Sequence, residues 1–191
     1  MQRQLIMQTI HSQIPDYAKD LRLNLDSVLT EGGAPGLSVR QIAIVSLASA
    51  IAARHAPLTS AIAEKAAETL DVKALDGART AAAIMGMNNV YYRFTHLASN
   101  PEYGTLPARL RMNAMANPGI DKIDFELASI AVSAINGCGM CIDSHEKTLK
   151  QHGVPTQAIQ SAVRIASVIA AVAVVLEQKD AAQVAELQAA A

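Results

Sequence analysis

The sequence predicts an all-α fold, and three observations carry that prediction. Apolar residues fill 51% of the 191 positions while aromatics fill 3% and tryptophan is absent, an alanine-rich mixture poor in strand formers that suits helices packed closely on one another. Apolar residues recur at helical spacing in one segment after another. These segments tend to start near proline and end near glycine, which is the asymmetry of helix boundaries. One domain over residues 1–191 suffices, since about 150 residues is a usual domain size.

The elements follow in order. Pro15 suits a first helical position, and residues 15–31 place Ala18, Leu21, Leu25, Val28 and Leu29 on one stripe before Gly32-Gly33. After Pro35-Gly36, Ser38-Val39-Arg40-Gln41 matches a capping box, and the almost wholly apolar stretch from Ile42 to Ala53 is expected to be a helix buried on most sides and stopped by Pro57. Thr59 or Ser60 is expected to cap a helix over 61–70, and Asp76 a longer one over 78–97 that carries Met85, Met87, Tyr91, Tyr92 and Phe94. Asn100-Pro101 and Tyr103-Gly104 mark a loop, a short helix is expected over 107–116, and Asn117-Pro118-Gly119 marks a turn. Asp124 is expected to cap the next helix, which leaves Glu126 as a carboxylate in its first turn. A further helix opens at Cys138 and ends at Gly153, and Pro155 starts the last. Its uncharged run from Ile165 to Leu176 is too short to cross a bilayer, which needs about 20 residues, so it is expected to be a core or subunit-interface helix. The Ala/Gln-rich tail after Lys179 frays or extends it.

A weak internal echo runs through this series. Pairing residue n with n+84 sets Ser49-Ala50-Ile51 against Ser133-Ala134-Ile135, each within an apolar helix followed by a break and an amphipathic helix. The pattern suggests a duplicated helical unit, about 38–97 and about 121–178, in which Arg54 falls where Cys138 falls and only the second copy carries the chemistry.

Charge narrows the partners. Sixteen basic against seventeen acidic residues give a net charge of −1, and no run of like charge appears, so neither nucleic acid nor an anionic membrane is expected as a partner. The stretch from Met1 to Gln8 is too polar for the apolar core of a signal peptide, which leads to the expectation of a cytoplasmic protein.

The two cysteines of the chain, Cys138 and Cys141, stand three apart with His145 four residues beyond. On a helix, positions 138, 141 and 145 lie on a single face. Cys138 stands where unpaired N–H groups and the helix dipole favour a thiolate, and a cytoplasmic Cys-x-x-Cys points to redox use before structural stapling. A zinc site drawn from Cys138, Cys141, His145 and Glu126, and two inert buried cysteines, are the competing readings. His145 is either a proton carrier suited to thiol activation or a solvated helix residue, and Glu126 either its partner or a helix-start carboxylate. His11, His55, His96 and His152 belong to no constellation. Met85, Met87 and the Ile165 to Leu176 run are read as core.

Glu126, then Cys138-Gly139-Met140-Cys141, then His145 resembles the pattern of the AhpD-like family of alkyl hydroperoxide reductases, within the wider carboxymuconolactone decarboxylase-like superfamily; the likeness extends from about residue 10 to 180. The resemblance implies an all-α fold, assembled as a homotrimer, and a thiol-dependent peroxidase that reduces organic hydroperoxides. It also implies recharging of an AhpC-type peroxiredoxin with electrons from the lipoyl group of a carrier protein, with no tightly bound cofactor. Cys141 is then similar to the peroxide-reactive sulfur and Cys138 to the resolving cysteine that closes a Cys138/Cys141 disulfide, with Glu126 and His145 as relay members. Helix electrostatics alone favours Cys138 as the thiolate. One departure is Met140, which stands where the best-matching pattern has a second histidine and cannot carry a proton. A general disulfide reductase, a thiol redox sensor, a zinc-binding structural protein and a decarboxylase of the superfamily are the alternatives.

Overall fold

The computed structural model describes residues 10–189, and among them there is no strand. The polar stretch from Met1 to Gln8 lies outside the described residues. Pro15 leads into a 3-10 turn, Asp16–Ala18, and then α1, Lys19–Val28. The stripe reads as expected: Ala18, Leu25 and Val28 are buried, with Leu21 and Leu29 packed beside them.

The capping box opens α2, Val39–Ala53: Ser38 Oγ accepts from the Gln41 N–H, and the Gln41 side chain accepts from the Ser38 N–H. Pro57 does not stop this helix. The chain turns at Arg54, whose φ is 62°, and Pro57 lies in the first turn of α3, Ala56–Ala66. A proline is at home there because no intrahelical acceptor awaits its missing N–H. The cap is therefore His55, whose Nδ1 accepts from Leu58 N–H at 3.2 Å, while Thr59 donates back to the Ala50 and His55 carbonyls.

Two other helices start earlier than the expected caps Asp76 and Asp124. Asp71 opens α4, Val72–Leu97, and Asp76 sits inside it paired with Arg79 at 2.8 Å. Asp121 opens α7, Lys122–Ile135, taking the N–H groups of Ile123 and Asp124. Asp124 is instead claimed by Arg40 Nε at 3.0 Å, a partner 84 residues away that no local pattern announces. Between α4 and α7 the expected helix over 107–116 is reduced to a last turn: α5 is Glu102–Thr105 and α6 is Asn113–Ala116, with Arg109 at a φ of 50° breaking any helix between them.

The second set of helices continues with α8, Gly139–Gln151, and α9, Thr156–Ala189. The helices α7, α8 and α9 begin 83, 83 and 84 residues after α2, α3 and α4. At the centre α2 and α7 pack on each other, α4 lies against both, and α9 covers them from another side, with α1 packed against α9. Both central helices are buried almost all round: α7 buries every residue from Asp124 to Ser133. Close packing of α4 on the α7 entry is permitted by Gly77, where a Cβ would meet the Ile120 side chain at 2.6 Å.

The last helix is longer than its twelve-residue uncharged run. Its segment Thr156–Lys179 has 24 residues and holds an 18-residue stretch with a mean hydropathy of 2.1, which is long and apolar enough to cross a membrane. Here it buries Ala158, Ala162, Ile165, Ile169, Val172 and Leu176 on one stripe against α1, α2 and α7, as a core helix does.

Candidate active site

The site is built where α7 ends. Gly137, at a φ of 66°, reverses the chain after Asn136, a conformation that costs an L-residue side-chain strain and glycine none. Cys138 then becomes the N-cap of α8, its Sγ accepting from the Cys141 N–H at 3.3 Å. One turn on, Cys141 is joined to it by a disulfide, with the two Cα atoms 5.3 Å apart. Another turn on stands His145, so the shared face expected for 138, 141 and 145 is present. Both cysteines are buried and differ slightly in access: Cys138 is 0% and Cys141 6% exposed, and only Cys141 lines a pocket.

His145 and Glu126 are both buried, and they meet. The Nδ1 of His145 lies 2.6 Å from Glu126 Oε2, and the other carboxylate oxygen, Oε1, lies 2.8 Å from Lys122 Nζ. Because α7 begins at Lys122, Glu126 is in its second turn and not its first, so these partners, and not the helix terminus, balance its charge. Burial pushes the Glu126 carboxyl up. The hydrogen bonds from His145 and Lys122 and their positive charges outweigh that penalty and hold it below its usual value. A buried carboxylate without such partners would neutralise itself by binding a proton.

Four residues at the site carry no functional signal in the sequence. Lys122 also donates to the Met115 carbonyl at 2.8 Å, tying α6 to the carboxylate; its only local signal was the i, i+4 spacing to Glu126. Met85, read as core, is core, yet its Sδ lies 3.2 Å from His145 Nε2. Asn89, one turn along α4, donates to Ser133 Oγ and accepts from Asn136 Nδ2, each at 2.9 Å. Ser133 in turn takes the Cys138 N–H on its carbonyl at 3.1 Å, so α4 props the turn that presents the dithiol.

Cys141 and His145 share the wall of a pocket of about 210 Å³ with Met85, Asn88, Tyr92, Met112, Met115, Met140 and Ser144. Four of the seven methionines of the chain gather here, a pliable apolar lining. Cys138 and Glu126 lie behind that wall. A larger cavity of about 300 Å³ between α2, α3 and the turn after α1 has neither cysteine nor histidine in its lining. For zinc, the four proposed donors do not surround a common centre: the sulfurs are bonded to each other, and His145 and Glu126 face one another. Among the described residues no three His, Cys, Asp or Glu side chains gather as a metal site.

The chain is similar to known proteins along most of its length. Residues 101–186 match the carboxymuconolactone decarboxylase family. The alkyl hydroperoxide reductase AhpD of Bradyrhizobium sp. strain BTAi1 is 56% identical over 171 residues, covering 90% of this chain and 93% of the relative. The protein of the same name from Brucella abortus strain 2308 is 54% identical over 90% of this chain and 96% of its own length. That of Rhodopseudomonas palustris strain BisA53 is 56% identical over 91% and 94%. With relatives this close along nearly the whole chain, the protein belongs to the AhpD family of alkyl hydroperoxide reductases.

Proposed function

We propose that this protein reduces organic hydroperoxides through a Cys138/Cys141 dithiol cycle. The observation that carries the reading is that Cys141, and not Cys138, shares an apolar pocket with His145, behind which stand Glu126 and Lys122. In the cycle the Cys141 thiolate attacks the outer peroxide oxygen and the O–O bond breaks. The alcohol leaves with a proton supplied through His145, and Cys141 becomes a sulfenic acid. Cys138 then attacks the Cys141 sulfur, water departs, and the disulfide closes. Two electrons pass from the two thiols to the peroxide. Helix electrostatics favours the thiolate at Cys138, yet an enclosed sulfur cannot meet the peroxide first; access gives that role to Cys141, and the stabilised Cys138 thiolate suits the resolving step.

The lipoyl group of a carrier protein is the electron donor in this reading, and an AhpC-type peroxiredoxin is the protein recharged. Family likeness supports both, as it supports a homotrimer acting in the cytoplasm and one domain of two related helical units. The offset of 83 to 84 residues between the two sets of helices supports the last point.

The test is turnover of tert-butyl and cumene hydroperoxide with dihydrolipoamide, thioredoxin and glutathione offered separately. Consumption of peroxide with dihydrolipoamide is expected; no turnover with any donor would remove the peroxidase reading. Light scattering after size exclusion should give three times the chain mass, and a monomer mass at all concentrations would remove the trimer.

A further inference from the structure

The relay histidine is engaged at both ring nitrogens while the dithiol is oxidised. Nδ1 lies 2.6 Å from Glu126 Oε2, and Nε2 lies 3.2 Å from Met85 Sδ. An ionised carboxylate and a thioether are both acceptors with no proton to give. Glu126 is held in its ionised form by Lys122 and His145. An imidazole between two acceptors satisfies both only when each nitrogen carries a hydrogen. The sulfur of Met85 also lies 3.6 Å from Ser133 Oγ and 3.8 Å from Asn89 Nδ2, so three polar groups converge on one buried thioether. A methionine that only fills space collects no such set.

We propose that Met85 is a positioning residue for the relay, whose thioether accepts a hydrogen bond from the Nε2–H of His145 while Cys138 and Cys141 are joined, so that this proton stands ready for the Cys141 thiolate when the disulfide opens. This rests on the dithiol cycle proposed above. A thioether is a weak acceptor, so it keeps the imidazole turned toward the pocket without holding the proton against a stronger claimant. Met85, His145 and Cys141 line the same pocket, which puts the parked proton at the wall that carries the reactive sulfur. The other charged groups facing His145 are Glu126 and, behind it, Lys122, both from α7; α4 adds the Tyr92 phenol to the lining, and the start of α6 contributes only Met115 and the preceding Met112.

A thiolate of the incoming dithiol attacks Cys141 Sγ, and Cys138 leaves as a thiolate at the start of α8. The second sulfur of the donor then attacks its own first sulfur and releases Cys141 as a thiolate, which takes the Nε2 proton of His145. The two protons lost by the donor dithiol go one to Cys138 and one back to His145. Two electrons have moved from donor to protein, and the donor has become a disulfide.

Nitrogen-15 NMR of the imidazole, in oxidised full-length protein at pH 7, reads the proposal directly. Wild type is expected to carry hydrogen on both nitrogens of His145. Met85→Leu, nearly volume-conserving and therefore expected to fold with little loss of melting temperature, should lose the Nε2 hydrogen. Its single-turnover reduction by dihydrolipoamide at pH 7 should fall about tenfold, with the loss recovering toward acid pH where solvent supplies the proton. Met85→Gln restores an oxygen acceptor and should restore both readouts. A neutral imidazole protonated only at Nδ1 in the wild type, or a leucine variant with unchanged ring protonation and rate, would overturn the proposal. The ring measurement needs no peroxide, so a protein inactive toward hydroperoxides that shows the expected ring states would sink the peroxidase reading and leave the proton site standing.

Discussion

Glu126 and His145 form a buried pair whose atoms approach to 2.6 Å, and the carboxylate completes its coordination with Lys122 at 2.8 Å. Its carboxyl is thereby held below the usual value of 4.5. A group whose folded value is depressed contributes stability that is fully present above the unfolded value and lost as pH falls through the folded one. Glu126→Gln should therefore lower stability at pH 7 by about 1.5–3 kcal/mol, the range for hydrogen bonds to a charged group. The gap to wild type should shrink below the carboxylate range. Urea unfolding of both proteins between pH 3 and pH 7, with the disulfide intact, checks this; a gap that widens in acid would reverse the assignment.

The same pair should control rate. Glu126→Gln and His145→Ala are each expected to slow peroxide oxidation of the reduced dithiol at pH 7 by about 10²-fold, with partial relief at alkaline pH where hydroxide ionises the thiol. Stopped-flow single turnover is the measurement. Wild-type rates in both variants would return the two residues to purely structural roles.

Cys141 lines the pocket and Cys138 does not, so the cysteine variants should differ in kind. Cys138→Ser should consume one equivalent of peroxide and trap a sulfenic acid at residue 141 that reacts with dimedone, without turning over. Cys141→Ser should do neither, because its remaining sulfur is enclosed. Exchange of these behaviours would make Cys138 the peroxide-reactive thiol.

In wild type, peroxide should remove two free thiols per chain without covalent dimers, since the partner sulfur is one helical turn away with its Cα at 5.3 Å. Mass spectrometry that found sulfinic acid on one cysteine beside an intact second thiol would contradict the cycle.

The Arg40–Asp124 bond joins the starts of the two central helices, with the aspartate 6% and the arginine 42% exposed. Asp124→Asn should destabilise by about 1 kcal/mol, discounted from a fully buried pair because the arginine remains solvated. A double-mutant cycle with Arg40→Ala, read by thermal unfolding, should give a coupling of similar size, and zero coupling would make the contact incidental.

Much of the architecture was legible because helix formation is governed by near neighbours. The Ser38 capping box, the buried stripe of α1, the opening of α8 at Cys138 and the common face of residues 138, 141 and 145 all follow from spacing along one chain segment. The caps show where that logic stops: Asp71 and Asp76, or Asp121 and Asp124, are equivalent candidates locally; Asp124 is claimed by Arg40 from 84 residues away, while Asp76 is held by Arg79 inside its own helix.

What the sequence by itself determined was thus the helical class, the family pattern and the dithiol with its histidine on one helix. Tertiary structure alone decided what surrounds them: the burial of Glu126 and its balance by Lys122, the thioether of Met85 at the far nitrogen of His145, the prop from Asn89 to the dithiol turn, and which sulfur meets the pocket. The physical reason is that helical periodicity specifies neighbours within a helix, whereas charge balance, desolvation and access are set where α4, α7 and α8 meet, and no spacing along the chain encodes their approach.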